Sequence, residues 1–305
     1  MSKFSASDAA FVGFRLVREH PRTVAVWAVL MTVLSLVMST VTIKLAGPQL
    51  NEFMAMSAEN NATPEEMLAV MSGLAPLLGL SLVYSVALYS VMLAAVNRIV
   101  LRPEDSGSAY LRLGADELRQ AGMLILLNLM MIGVYFLLAI VYGVLLAIAI
   151  AAGGGAVSGL IGVVGFAAVV CAMVYLAVRL SFASAVTFDT GKVSIMKSWA
   201  LTKGQSGALL GAYLLAIVMA IIVYLLVMTI VAAVAAIVSG GIGGLGGLFE
   251  PDMSSLEAFF TPIGIARAAF SGVISVLTTL IVLSPAPEIY QILKRGGVKP
   301  TGAAV

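Results

Sequence analysis

Side chains that could do chemistry are few in this sequence and lie far apart. The one histidine, His20, has no second histidine to complete a metal site or a catalytic triad. The one cysteine, Cys171, lies in an apolar run and cannot form a disulfide within the chain. Residues 241–246 fit G-x-G-x-x-G, but they follow an apolar helical run instead of a strand, which argues against dinucleotide binding. We therefore expect no enzymatic activity, no cofactor and no metal.

Ionisable side chains at the ends of the apolar runs are the next candidates. Arg98, Arg102 and Arg179 follow such runs, and Glu288 comes just after the last run. We predict an ion pair between Arg179 and Glu288 that locks two helical hairpins together, since ionisable residues at span ends commonly serve packing and snorkelling. The alternative is a vestibule in which Arg98, Arg102 and Arg179 bind an anionic headgroup.

The most polar side chain within an apolar run is Asn128. No Asp, Glu, His, Lys or Arg lies at mid-depth in any run, although ion-coupled transporters usually carry such residues there. Hydrogen bonding between helices is the simpler role for Asn128, and lining of a functional cavity is the alternative.

The elements that must position these side chains are membrane helices. The 305 residues are 61% hydrophobic and only 10% charged, whereas about a quarter of the residues in a soluble domain are charged. Six apolar runs reach the length of about 20 residues that a bilayer requires. The sequence therefore predicts an all-α polytopic protein with a single membrane domain over residues 1–305. We place its spans at residues 23–43, 77–97, 123–152, 157–177, 208–238 and 268–284.

Proline and glycine mark two boundaries between these spans. Pro76 divides a charge-free run that is too long for one span, so we predict a short outer helix over residues 65–75 before the second span. Gly153, Gly154 and Gly155 predict the hinge between the third and fourth spans, because three glycines are a strong turn signal.

The basic residues predict the topology. Of the 17 Lys and Arg residues, 15 fall in the N-terminal segment, the loops after the second and fourth spans, and the C-terminal tail. Only Lys44 and Arg267 fall on the other side of the membrane. Cytoplasmic loops carry the Lys and Arg excess. We therefore expect a multi-pass protein of the bacterial cytoplasmic membrane with both termini in the cytoplasm. The N-terminal residues are read as cytoplasmic and the first span as a permanent anchor.

Three cytoplasmic segments have amphipathic helical patterns and each precedes an odd-numbered span. They comprise residues 7–19, 108–120 and 192–203, and they predict a threefold repeat of an interfacial helix followed by a membrane hairpin. The third segment carries Lys192, Lys197 and Lys203 around Trp199, a composition that suits the headgroup zone. We expect these lysines to contact anionic lipid.

Two of these cytoplasmic segments resemble a bacterial integral-membrane superfamily. Residues 179–204, RLSFASAVTFDTGKVSIMKSWALTKG, are similar to its pattern of Arg-Leu at a span end, an acidic turn and a Ser-Trp-x-Leu-Thr-Lys-Gly helix. Residues 101–119 resemble stand-alone members, and the two segments cover about a seventh of the chain. The superfamily includes the membrane domain of glycerophosphodiester phosphodiesterases. The resemblance implies a six-helix membrane fold and no phosphodiesterase activity, because the catalytic domain of the fused proteins is absent.

Three classes of function are compatible with these sequence features. We favour a non-enzymatic protein that organises lipids or a membrane protein partner. The alternatives are a carrier or pore for a neutral or amphiphilic solute, which needs a polar cavity between spans, and a lipid-modifying enzyme, which needs clustered acids or nucleophiles. Nucleic acid is not an expected partner, because the net charge is only +2.

The predicted topology can be tested by labelling single cysteines in a Cys171→Ala background. Ala58→Cys and Ser254→Cys should react with a membrane-impermeant maleimide in intact cells, because both positions lie on the side that is poor in Lys and Arg. Ala200→Cys is the control and should react only after the cells are permeabilised. Labelling of Ala58→Cys from the cytoplasm alone would contradict this topology.

Overall fold

Every regular element of the described chain is helical. The computed structural model describes residues 4–59, 63–238, 253 and 255–297, and no strand occurs among them. The helices are α1 (Ala6–Ala10), α2 (Val12–Glu19), α3 (Pro21–Glu59), α4 (Pro64–Leu101), α5 (Ala115–Ala151), α6 (Gly155–Leu180), α7 (Ala183–Thr190), α8 (Ile195–Leu201), α9 (Ser206–Val238), α10 (Leu256–Phe259), α11 (Pro262–Leu283) and α12 (Pro285–Gly297). Helices α3, α4, α5, α6, α9 and α11 are long and apolar enough to cross a membrane. The all-α polytopic class and the six spans are confirmed.

The predicted break at Pro76 is wrong, because α4 runs through it without interruption. Proline removes one backbone hydrogen bond and crowds the preceding turn, but membrane helices tolerate this when neighbouring groups satisfy the freed carbonyl. A continuous helix keeps the hydrogen bonds of the other backbone groups on both sides of Pro76. At ~1.5 Å per residue, its 38 residues exceed the ~30 Å hydrocarbon core.

The start of α4 is fixed by a reciprocal pair of hydrogen bonds. The Thr63 backbone N–H donates to Glu66 Oε2 at 2.9 Å, and the Glu66 N–H donates to Thr63 Oγ1 at 3.3 Å. This capping box satisfies backbone donors that the first turn leaves without partners. One helical turn further on, Val70 and Leu74 pack with Ala46 of α3, so the beginning of α4 is held by both capping and packing.

The glycine hinge between the third and fourth spans is confirmed. Gly153, Gly154 and Gly155 have φ values of +122°, +63° and +69°, which residues with a side chain rarely adopt. The chain reverses there, and α5 packs against α6 as an antiparallel hairpin. The Tyr142 hydroxyl donates to the Gly162 carbonyl at 3.0 Å across this hairpin.

The three predicted interfacial segments have different outcomes. The first forms α1 and α2, which are separated at Phe11, and the third contains α8. The second is not a separate helix, because residues 115–120 are the first turns of α5. Ahead of them, residues 108–110 adopt a left-handed conformation with φ of 52°, 54° and 63°. Only the first and third segments therefore support the predicted repeat.

The chain divides into two compact units, and unit 1 comprises residues 1–10, 89–215 and 283–305. Its core forms around α7, which the sequence analysis did not predict as a helix. Phe182 just before α7, and Val186 within it, are buried together with Leu209 of α9 and Ile289 of α12. Burying a large apolar side chain contributes about 1.5–3 kcal/mol, so α7 is an internal element of unit 1.

Unit 2 comprises residues 11–88 and 216–282, and two glycines allow close helix contacts within it. A Cβ atom at Gly13 of α2 would lie 2.6 Å from the Ile281 Cα of α11. A Cβ at Gly272 of α11 would lie 2.8 Å from the Ala28 carbonyl oxygen and 2.9 Å from the Thr32 backbone nitrogen of α3. Small residues at such positions let membrane helices approach closely.

Gly272→Ala should therefore destabilise the protein by about 1–3 kcal/mol, because the added methyl group meets backbone atoms that cannot rotate away. Gly79→Ala in α4 is the matched control, because nothing lies within 4 Å of a Cβ built there. The measurement is the thermal unfolding midpoint in detergent. A midpoint for Gly272→Ala as high as that for Gly79→Ala would mean that α3 and α11 are not in close contact.

Candidate functional site

A buried ion pair joins the end of α4 to the beginning of α5. Arg98 lies in the last turn of α4 with only 2% of its side chain exposed, and its Nη2 donates to Glu117 Oε1 at 2.7 Å. The Glu117 side chain is 6% exposed. Both charges have left water, so each depends on the other to offset the loss of hydration.

Residues 108–110, whose backbone is left-handed, supply a further hydrogen-bond acceptor for Arg98. Arg98 Nη1 donates to the carbonyl of Tyr110, and the Tyr110 hydroxyl donates to the Pro103 carbonyl at 3.1 Å. Left-handed backbone costs roughly 1–2 kcal/mol per residue with a side chain. Burial of Tyr110 and the hydrogen bond to the guanidinium hold residues 108–110 in this conformation.

Asp116, next to Glu117, contacts three guanidinium groups. Its carboxylate lies 2.8 Å from Arg119, 3.4 Å from Arg102 and 3.8 Å from Arg98. Arg102 also donates to the Phe188 carbonyl at 3.2 Å and stacks over the Phe188 ring at 4.5 Å from its centroid. The network thereby reaches α7, and Arg102 is held by a carboxylate, a carbonyl and an aromatic face.

A second, uncharged network lies beside the ion pair. Asn97 Nδ2 donates to Ser184 Oγ at 2.8 Å, and that hydroxyl donates to Gln120 Oε1 at 2.9 Å. Gln120 Nε2 in turn donates to the Ser184 carbonyl at 3.0 Å. Asn97 and Gln120 are buried, so their amides depend on these partners. This network ties α4 and α5 to the second residue of α7.

Arg179 does not form the predicted ion pair with Glu288, and that prediction is wrong. Its Nη2 donates to the Trp199 carbonyl at 2.8 Å, and its guanidinium lies 4.4 Å from the centroid of the Trp199 ring. Because α8 folds back against the end of α6, Trp199 takes the place that the sequence analysis gave to Glu288. Glu288 lies in the first turn of α12.

The turn that follows Arg179 is closed by Ser198 of α8 and by Thr202, the residue just after α8. The Arg179 carbonyl accepts from Ser198 Oγ at 2.9 Å and from Thr202 Oγ1 at 3.0 Å. Ser198 Oγ also accepts from the Phe182 backbone N–H at 3.0 Å. Ser198, Trp199 and Thr202 belong to the segment that carries the family resemblance. In this structure Ser198 and Thr202 close the turn between α6 and α7, and Trp199 holds the Arg179 side chain.

Asp189 attaches α7 to α12. It accepts from Tyr290 at 2.7 Å and from Lys294 Nζ at 2.7 and 2.9 Å. Partial burial alone would raise the pKa of this carboxyl. The hydrogen bonds from Lys294 and Tyr290 and the positive charges of Lys294 and Arg102 outweigh burial and hold its pKa below the usual range. Asp189 is therefore an ionised anchor, a role that the sequence analysis did not assign to it.

The three lysines of the α8 segment have a different environment from the arginines. Lys192, Lys197 and Lys203 are exposed, and no acidic residue pairs with them in the part of the chain that the structure describes. Large apolar side chains are exposed beside them: Met196 is 67% exposed, and Val193 and Leu201 are exposed as well. The segment therefore presents basic and apolar side chains together, as its predicted interfacial pattern requires.

Asn128 lies on an exposed face of α5. Its Nδ2 donates to the carbonyl of Leu124, four residues earlier, at 2.8 Å, and its neighbours Ile125 and Leu129 are also exposed. This bond within one helix is neither the predicted bond between helices nor the alternative of a cavity lining.

The acids of the network are engaged with cations. Across residues 4–59, 63–238 and 255–297, no group of three His, Cys, Asp or Glu side chains could hold a metal ion. Asp116, Glu117 and Asp189 each hold a basic side chain. The arrangement around Arg98 is therefore suited to fixing helix ends, and the basic, apolar surface of the α8 segment is the candidate site for an external ligand.

The buried pair predicts a large effect for a small change. Glu117→Gln should destabilise the protein by on the order of 3 kcal/mol, because it leaves the Arg98 charge buried with only Asp116 at 3.8 Å. The matched control is Asp105→Asn, which breaks the exposed ion pair with Arg112 at 2.8 Å and should cost less than about 1 kcal/mol. Unfolding in mixed detergent micelles measures both. Equal losses would show that the burial of Arg98 does not matter to stability.

Comparison of the chain with family models, with curated proteins and with solved structures finds no match. The resemblance of residues 101–119 and 179–204 to the bacterial membrane superfamily therefore stays a prediction.

Proposed function

We propose that this protein is a non-enzymatic, multi-pass protein of the bacterial cytoplasmic membrane that organises anionic lipids at its cytoplasmic face. The observation that carries the proposal is the exposed surface formed by Lys192, Lys197 and Lys203 with Val193 and Met196. We call this set of residues the α8 surface. Both termini and the α8 surface lie on the cytoplasmic side in this proposal, as the distribution of Lys and Arg favours.

The choice of the α8 surface follows from how the other basic residues are used. Arg98 is buried against Glu117, Arg102 is held by Asp116 and Phe188, and Arg179 is held by Trp199. An anionic headgroup at any of these would have to displace an existing partner. The lysines of the α8 surface need no such exchange, because no acidic residue among those that the structure describes pairs with them.

The side chains of the α8 surface suit a bilayer boundary. Met196 and Val193 provide apolar area that can enter the boundary between headgroups and acyl chains. The long lysine side chains can lie along that apolar layer while their ammonium groups reach lipid phosphates. Leu118, which is 75% exposed in the first turns of α5, adds apolar area to unit 1. A lysine near an anionic leaflet contributes up to about 1 kcal/mol of attraction.

A non-enzymatic role is supported by the engagement of the acids. A lipid-modifying enzyme would need carboxylates or nucleophiles that face a substrate. Asp116, Glu117 and Asp189 instead fix arginine and lysine side chains that connect α4, α5, α7 and α12. The same ion pairs tie these four helices together, which suits a protein that presents a surface to lipids or to a membrane protein partner.

Replacement of Lys192, Lys197 and Lys203 together by Gln tests the proposal. Retention of phosphatidylglycerol, measured by native mass spectrometry against phosphatidylcholine, should fall at least tenfold, because three contributions of up to about 1 kcal/mol are removed and about 1.4 kcal/mol corresponds to tenfold. Met196→Gln in the same assay should also lower retention, because it removes apolar area at the bilayer boundary.

Lys44→Gln is the control, because Lys44 is exposed but lies on the side poor in basic residues. It should leave phosphatidylglycerol retention unchanged. Unchanged retention in a folded triple variant would show that the three lysines only orient the protein in the membrane, and the lipid-organising function would be dropped.

A further inference from the structure

We propose that a hydroxyl-lined groove within unit 2 binds a neutral amphiphile whose polar part carries hydroxyl and ester groups, as a monoacylglycerol does. The groove is formed by α3, α4 and α11 and has a volume of about 270 Å³. These three helices contain the predicted first, second and sixth spans, so the groove lies at membrane depth. The proposal is independent of the anionic lipid surface of unit 1.

The polar lining consists of hydroxyl groups alone. Six of them face the groove: Ser35, Ser39, Thr42, Tyr84, Ser271 and Ser275. Met31, Met38 and Leu88 provide apolar lining, and Gly272 completes it. No charged residue lines the groove. A groove at membrane depth without a charge disfavours an ionised ligand, because nothing would replace the water that the ligand loses.

The groove hydroxyls lack hydrogen-bond partners among the residues that the structure describes, and this lack points to a ligand. In a membrane helix, a Ser or Thr hydroxyl commonly donates to a carbonyl of the preceding turn. Thr32 and Thr40 of α3 do so, to Ala28 and Leu36, both at 2.8 Å. The six groove hydroxyls form no hydrogen bond with any other residue that the structure describes.

Hydroxyls without partners at membrane depth favour a ligand that can both accept and donate. Leaving a hydroxyl without a hydrogen bond in apolar surroundings is unfavourable, so six of them create a strong preference for a polar occupant. Hydroxyl and ester oxygens of a neutral amphiphile can accept from the serines, and ligand hydroxyls can donate to them. Its acyl chain can lie against Met31 and Met38 and extend into the bilayer.

The walls of the groove are held in place by close packing. Gly272 lies on the groove, and a Cβ atom there would meet the Ala28 carbonyl oxygen and the Thr32 backbone nitrogen, so no side chain fits. The contact fixes the separation of α3 and α11, and with it the distance between the serines of the two helices. A preformed site of this kind loses little freedom when a ligand binds. A carrier for a neutral solute would also need such a site, but binding alone does not establish transport.

The test uses the full chain in phosphatidylcholine nanodiscs with a photoactivatable 1-oleoylglycerol carrying a diazirine in its acyl chain. Crosslinks mapped by mass spectrometry should fall on Met31, Met38 or Leu88, and unlabelled 1-oleoylglycerol should compete for them. Oleic acid at pH 8 and oleoyl lysophosphatidylglycerol, which share the chain but carry a negative charge, should compete at least fivefold less well.

The variant Ser35→Ala, Ser39→Ala and Tyr84→Phe removes three hydroxyl oxygens and should lower the crosslink yield at least fivefold. Its fold should persist, because these hydroxyls bond to no other described residue. The matched control is Ser72→Ala, Ser158→Ala and Thr229→Val, whose hydroxyls donate to their own helices outside the groove. The control should keep the parent yield.

Two results would overturn the proposal. Equal crosslinking in the groove variant and in the control variant would show that the hydroxyls contact water only. Equal competition by the charged oleoyl compounds would show that the groove holds any acyl chain of the surrounding lipid. Loss of the α8 lysines should change neither result, so failure here and failure of the anionic lipid proposal are distinguishable.

Discussion

The burial of Arg98 constrains much of unit 1. A guanidinium removed from water needs several partners, and Arg98 obtains them from Glu117 on α5 and from the Tyr110 carbonyl. To place both, the chain passes through three left-handed residues and, after residues 111–114, enters α5. This explains why the second predicted interfacial segment is not a separate helix, since its acids must lie in the first turn of α5 to reach Arg98.

The buried helix α7 depends on the same arrangement. Its apolar side is covered by α9 and α12, and its polar groups are met by Gln120, Arg102 and Lys294. A short helix could not remain among apolar elements with those groups unmatched. The contacts of Arg179 depend on this arrangement too. The turn into α7 brings α8 against the end of α6 and places Trp199 over the Arg179 guanidinium.

The spans could be predicted from the sequence because hydropathy reports transfer of one segment into lipid, which is a local property. The glycine hinge could also be predicted, because positive φ at Gly153 to Gly155 is a local property that needs no distant partner. The partners of Arg179 and the helix α7 were not predictable in this way, because they depend on residues that pack from other parts of the chain. Residues 181–188 carry one signal that was missed: they are apolar enough to be buried, although they lie between Arg179 and Asp189. Pro76 failed as a helix boundary because one lost hydrogen bond does not outweigh a continuous helix in an apolar medium.

Arginine and lysine are used differently on the side of the chain that is rich in both. The arginines at span ends are held by carboxylates, carbonyls and rings, which suits a planar group that donates several hydrogen bonds in fixed directions. The lysines of the α8 surface are exposed, which suits a flexible side chain with a strongly hydrated charge. Both types count equally toward orientation in the membrane, since the positive-inside rule counts Lys and Arg residues alike. The number of Lys and Arg residues on each side therefore predicts which side faces the cytoplasm. Only the partners of each basic side chain tell which residues remain available to lipid.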